Sequence, residues 1–135
     1  MERVPVIRVR DVELYYEIHE AKVFGGGRSA PSPVLLLYGL GSSGRDWPLQ
    51  IPVFASRGPV ITVDLRGHGR SSRGRTRPTV ELMADDLAVL LQAASQPPAH
   101  VIGLSLGGCV GLALAIQAPA CVRSLTRLRA DLTSP

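Results

Sequence analysis

The most constraining stretch of this 135-residue chain is Val101-Ile102-Gly103-Leu104-Ser105-Leu106-Gly107-Gly108, an apolar run that passes through Gly-x-Ser-x-Gly into a segment of small residues. The run reads as strand before Ser105 and as helix after it, so the serine occupies a sharp strand-to-helix turn. Such a turn forces the serine into a strained backbone region and crowds the residues two before and two after it. Gly103 and Gly107 answer that demand by carrying no side chain, and Gly108 and Gly111 extend the close approach. The turn lifts the hydroxyl above the sheet edge at a helix N-terminus, where unpaired N–H groups favour developing negative charge. Ser105 is therefore a candidate nucleophile, and the Leu106 N–H a candidate oxyanion donor.

A chain with fourteen glycines can spell this motif by chance, so its context decides. Upstream, Pro33-Val34-Leu35-Leu36-Leu37-Tyr38 reads as a buried strand entering a glycine-rich turn at Gly39-Leu40-Gly41-Ser42-Ser43. Pro59-Val60-Ile61-Thr62-Val63-Asp64 is a second such strand, opening into Leu65-Arg66-Gly67-His68-Gly69-Arg70-Ser71-Ser72. In this order and at this spacing the chain resembles the α/β-hydrolase superfamily. Its members carry a His-Gly-x-Gly-Ser-Ser-type loop, then Asp-x-Arg-Gly-His-Gly-x-Ser, then the serine turn.

The resemblance runs from about Val6 to Leu128 and looks like the first half of a typical member. It implies an α/β fold whose sheet is mostly parallel after an N-terminal antiparallel hairpin, truncated after about the sixth strand. Residues 1–128 are expected to form this half-domain and 129–135 a poorly specified tail, because charge replaces the apolar run expected from Arg127 onward. By analogy Val4 to Val9 and Glu13 to His19 make the hairpin, and Leu14, Tyr16 and Ile18 alternate as a half-buried edge requires. Phe24 to Ser32 reads as a loop. Asp46 to Ala55 predicts a short helix made irregular by Pro48 and Pro52. Thr79 caps a second helix whose inner face is Met83, Leu87, Leu90, Leu91 and Ala94, ended by Gln96-Pro97-Pro98. A sixth strand is expected within Cys121 to Leu128.

Composition narrows the class. The chain is long enough for one core and too short for two domains. Two cysteines make no disulfide framework, and Cys109 and Cys121 read as small core hydrophobes. Met1-Glu2-Arg3 leads into strand-like alternation rather than an apolar secretory core, so a cytoplasmic protein is expected. Val101 to Ile116 falls short of the roughly 18–20 apolar residues of a membrane span and contains the serine and four glycines. The net charge is +4, and fourteen of the fifteen basic residues are arginine. Five lie between Arg66 and Arg77, but without interleaved aromatics the segment reads as a solvated loop rather than a nucleic-acid surface. Asp64 and Glu81 are too isolated for a metal site, and no cofactor is implied.

The resemblance also assigns roles. Ser105 becomes the nucleophile of an ester or lactone hydrolase, with the backbone N–H groups of Leu106 and Leu40 as oxyanion donors. Gly39, Asp64, Arg66, Gly67, His68, Gly69, Gly103, Gly107 and Gly108 form the structural frame. Tyr38 stands where the family usually has histidine, which bears on the geometry of the oxyanion loop. His68 is structural in the family, while His19 belongs to the opening strand and His100 precedes the nucleophile strand, at its far end from the serine. Asp131 follows the sixth strand, where some members place their acid, but no histidine comes after it.

The chain alone is therefore expected to lack a complete triad, and its partners to be a small ester or lactone only once it is complemented. The alternative is a non-catalytic remnant or interaction module that keeps the scaffold. A half-sheet exposes a parallel edge and apolar surface, so aggregation, self-association or pairing with a complementing chain through that edge is expected.

Overall fold

The two apolar runs on either side of the first helix become the centre of one sheet. The computed structural model describes residues 5–20, 31–39, 49–94 and 98–129. In it Val34–Leu37 (β3) lies between Val60–Val63 (β4) and Ala99–Leu104 (β5), parallel to both. Val6–Val9 (β1) and Val12–His19 (β2) form an antiparallel hairpin, and β2 pairs antiparallel with β4. Val122–Leu128 (β6) runs parallel to β5, giving the order β1-β2-β4-β3-β5-β6. This is the hairpin followed by a parallel sheet that the sequence predicts.

Strands buried on both faces need no alternation, which is why Val60–Val63 is buried at all four positions. Leu35, Leu37, Ile61, Val63 and Val101 join the main core, where they meet the helices Val80–Ala93 (α2) and Leu106–Gln117 (α3). Leu36, Tyr38 and Val60 form a second cluster with Ile51 and Phe54 of the short helix Gln50–Ala55 (α1). Helix α2 starts as expected: Thr79 is extended, and its hydroxyl accepts from the Leu82 N–H at 3.0 Å. Its buried face contains Met83, Leu87, Leu90 and Leu91, as predicted, with Ala94 half-buried at the C-cap. That face also buries Asp86, which the hydrophobic pattern did not single out.

Helix α1 is shorter than the sequence reading at its described end. Residues 46–48 lie outside the described residues, and Leu49 caps the helix without a side-chain hydrogen bond. Strand β6 continues through Arg127 and Leu128 despite their charged neighbourhood. As an edge strand it needs only one buried flank, so arginine is tolerated where a central strand would require an apolar residue. Val4, most of the 24–32 loop and residues 130–135 of the expected tail lie outside the described residues. Among the described residues no helix is long and apolar enough to cross a membrane.

Candidate active site

Steric exclusion builds the turn at Ser105. The serine adopts φ 56° and ψ −114°, one of two non-glycine residues with positive φ among those described. A side chain at Gly103 would put its Cβ 2.4 Å from the Gly107 carbonyl oxygen, and one at Gly107 would lie 2.6 Å from the Leu37 backbone. Neither contact can be relieved by rotating a side chain, so strand β5, helix α3 and the end of β3 approach this closely only through glycine. Gly39 brings the chain after β3 against the serine, a Cβ there lying 3.5 Å from Ser105 Cβ.

The turn is fixed on its other side by β6, because the Ser105 N–H donates to the Leu128 carbonyl at 2.9 Å. The Ser105 carbonyl in turn accepts from the N–H groups of Gly108 and Cys109, opening α3. Leu106 is the first residue of that helix, so its N–H has no intrahelical acceptor and is available at the positive end of the helix dipole. The other expected donor, Leu40, lies outside the described residues.

The loop after β4 lies at the same end of the sheet and is held by polar contacts. Tyr38 is fully buried; its hydroxyl accepts from the Leu65 N–H at 2.8 Å and lies 3.3 Å from Asp64 Oδ1. The residue that departs from the family's usual histidine thus ties the end of β3 to the end of β4. Asp64 Oδ2 accepts from the Arg70 N–H at 2.9 Å, and the Ser71 hydroxyl donates to the Asp64 carbonyl. Ser71 and Ser72 hydroxyls accept from the N–H groups of Tyr15 and Glu13, stitching the loop to β2.

Arg66 is not part of a solvated loop. Its buried guanidinium donates to both carboxylate oxygens of Asp86, at 2.7 and 2.8 Å, and to Asp11 at 3.3 Å. The bond to Asp86 raises its pKa further above the ordinary arginine value, so the group stays charged. Arg70 lies over the Tyr15 ring at 4.6 Å, and the Arg75 N–H donates to Asp11 at 2.7 Å. At least three of the five clustered arginines therefore anchor the loop to the hairpin. Asp86 and Asp11 were missed in the sequence; the available signal for Asp86 was its place three residues after Met83 on the inner stripe of α2.

Ser105 opens into a cavity of about 820 Å³ lined by Leu106, Gly108, Cys109, Arg127, Leu128 and Arg129. Among the described residues neither a histidine nor a carboxylate lines it. His68 is at this end of the sheet, but its Nδ1 donates to the Arg66 carbonyl at 3.1 Å. His100 is at the opposite end of β5 with its Nδ1 2.7 Å from the Ser124 hydroxyl, and His19 pairs with Val60 at the start of β4. No group of three or more potential metal ligands occurs among the described residues. Cys121 packs against the main core as expected, but Cys109 is exposed, contrary to the sequence reading. It lies with the exposed Leu112 and Ile116 on one side of α3.

The sequence profile described as the alpha/beta hydrolase fold matches residues 32–135. Azorhizobium caulinodans RutD, provisionally named a carbamate hydrolase, is 41% identical over 91% of this chain and 43% of its own length. A Rhodobacter capsulatus protein named as the magnesium-chelatase 30 kDa subunit is 47% identical over 67% of this chain and 32% of its own. The structure of the enol-lactonase from Burkholderia xenovorans superposes with a TM-score of 0.79 at 27% identity, over 90% of this chain and 45% of that one. The chain thus spans less than half the length of each.

Proposed function

Since this chain belongs to the α/β-hydrolase fold family, we propose that it carries the nucleophile half of a serine hydrolase acting on carboxylic esters or lactones. The observation that carries this reading is Ser105 itself, held at φ 56° on a glycine-walled turn at the mouth of an open cavity. In the reaction Ser105 Oγ bonds to the substrate carbonyl carbon while its proton passes to a base. The carbonyl π pair moves onto oxygen, where the N–H groups of Leu106 and Leu40 hold the oxyanion; one such donor is worth about 3–4 kcal/mol. Collapse of the tetrahedral adduct breaks the bond to the alcohol oxygen, which takes the proton back from the base, and leaves an acyl-serine that water cleaves as the base takes the water's proton and returns it to Ser105 Oγ. Esters, lactones and carbamates share a carbonyl bearing a heteroatom leaving group, so the names of two relatives fit this class.

The base is a histidine from outside this chain. None of its three histidines lines the Ser105 cavity, so residues 1–135 alone are catalytically silent in this reading. A second reading, a non-catalytic scaffold, draws on that same lack of a base and on the relative named as a subunit of a larger enzyme. A fluorophosphonate probe separates the two. The folded chain alone is expected not to label, whereas a complex with a histidine-bearing second half labels at Ser105 and loses the label in Ser105→Ala. A formed complex that never labels, or labelling that survives Ser105→Ala, overturns the serine hydrolase reading.

A further inference from the structure

The parallel strands have a second end, away from Ser105, where β3, β4 and β5 begin. There the Pro33 carbonyl accepts from the His100 N–H at 2.8 Å and the Pro59 carbonyl from the Val34 N–H at 2.9 Å, so the three strand starts are tied together. Gly58 packs the entry to β4 against Pro31: a Cβ there would lie 2.9 Å from the proline ring, which cannot rotate away. These segments wall a cavity of about 610 Å³, within the roughly 300–1,000 Å³ of small-molecule sites.

The polar lining of this cavity is cationic. Arg57, Arg123, His100 and Ser32 face it, Val34 and Phe54 give it an apolar side, and among the described residues no carboxylate lines it. Neither arginine makes a salt bridge among the described residues, whereas the buried Arg66 is paired with Asp86 and Asp11. Two guanidiniums lining one cavity repel each other, and an anion between them turns that repulsion into attraction.

Arg123 reaches the cavity through an irregularity in the sheet. Val122 pairs with Ala99 and Ser124 with His100, which leaves Arg123 as one extra residue in β6. Such bulges are uncommon between parallel strands, and they re-aim the side chain they carry. Here the Arg123 guanidinium turns toward the segment entering β3, where Nη1 donates to the Ser32 hydroxyl at 3.3 Å. The same shift sets Ser124 beside His100, with its hydroxyl 2.7 Å from Nδ1. With that hydroxyl as donor, His100 Nε2 carries the ring proton and has no partner among the described residues.

We infer that this cavity binds a small organic phosphate, at the end of the sheet opposite Ser105. The phosphate oxygens take the guanidinium forks of Arg57 and Arg123 and the Nε2–H of His100, and the organic part lies on Val34 and Phe54. A carboxylate is satisfied by one fork, whereas three terminal phosphate oxygens serve donors from three separate segments. None of these groups lines the Ser105 cavity, so the site stands whether or not Ser105 is a nucleophile.

Calorimetric titration of the chain with phenyl phosphate tests the assignment. Saturable one-to-one binding is expected, at least about tenfold tighter than that of benzoate. Burial of the ring makes it at least about threefold tighter than that of inorganic phosphate. Arg57→Gln and Arg123→Gln each weaken it at least about tenfold, the effect of losing one charged hydrogen bond. Arg8→Gln on β1 and Arg127→Gln beside Ser105 remove the same charge elsewhere and leave the affinity within about twofold. All four arginines are exposed, so the variants fold, which far-UV circular dichroism checks before titration. No saturable binding, benzoate or inorganic phosphate bound as tightly as phenyl phosphate, undiminished affinity in Arg57→Gln or Arg123→Gln, or an equal loss in Arg8→Gln or Arg127→Gln overturns the proposal.

Discussion

The Ser105 N–H donates to the Leu128 carbonyl at 2.9 Å, so the last strand of the sheet holds the nucleophile turn from the side opposite the glycines. The turn is clamped between β6 and the backbone of β3, and the glycines at the clamp are not equivalent. Alanine at Gly103 or Gly107 drives a Cβ into backbone atoms at 2.4 and 2.6 Å, and the cost is expected at the upper end of overpacking, about 3 kcal/mol. Alanine at Gly111 meets side-chain methyls rather than backbone, those of Leu125, Val101 and Leu37 at 2.9, 3.1 and 3.8 Å, and regains about 1 kcal/mol of helix propensity. Urea denaturation should rank the first two well below wild type and Gly111→Ala near it. A Gly103→Ala protein as stable as wild type would show that the turn is not closed as described.

Asp86 is buried with its carboxylate held by Arg66, whose side chain has no exposed surface. Removing one member of such a pair strands the other charge in the core, which costs about 3–5 kcal/mol. Asp86→Ala is thus expected to lower stability by that amount, while Asp85→Ala, one residue away on the exposed side, changes it by about 0.5 kcal/mol or less. Equal midpoints for the two variants would remove Arg66 and Asp86 from the fold's supports.

Asp11 gives the hairpin an acid-sensitive contact. The backbone N–H of Arg75 holds its carboxyl below the ordinary value of 3.8. A carboxyl with a depressed folded pKa stabilises the protein above its unfolded pKa, and the contribution is lost as pH falls through the folded value. Between about pH 5 and pH 3 the wild type should therefore lose stability faster than Asp11→Asn, which has no charge to titrate there. Thermal midpoints measured across that range decide it, and parallel curves would refute the assignment.

The nucleophile turn was legible in the sequence because its steric demand falls two residues to either side of Ser105, on Gly103 and Gly107, where a linear pattern records it. The sheet was legible for a similar reason, since the runs at Val34 and Val60 are too uniformly apolar to lie anywhere but its centre. The support around the site was not. Arg66 meets partners 20 and 55 residues away, at Asp86 and Asp11; the spacing from Met83 puts Asp86 on the inner stripe of α2, but no local pattern names the distant guanidinium that lets a carboxylate stay there. Tyr38 read as a departure from a motif and proved to be the link between β3 and β4. Cys109 was misplaced because the apolar character of α3 shows that the helix is built to be covered without showing which side the present chain covers.

That uncovered side has a consequence for the isolated chain. Leu112 and Ile116 expose apolar area on the same helix face, and contiguous patches of this kind drive association in water. Replacing both with glutamine removes the patch without changing the net charge of +4, so any effect reports apolar contact rather than repulsion. Because neither side chain is buried, the double variant should unfold within about 1 kcal/mol of wild type. Sedimentation velocity should show the wild-type chain forming larger species as concentration rises and the Leu112→Gln/Ile116→Gln chain remaining monomeric. If both sediment alike, the self-association expected of this half-sheet originates elsewhere, and the β6 edge becomes the surface to substitute next.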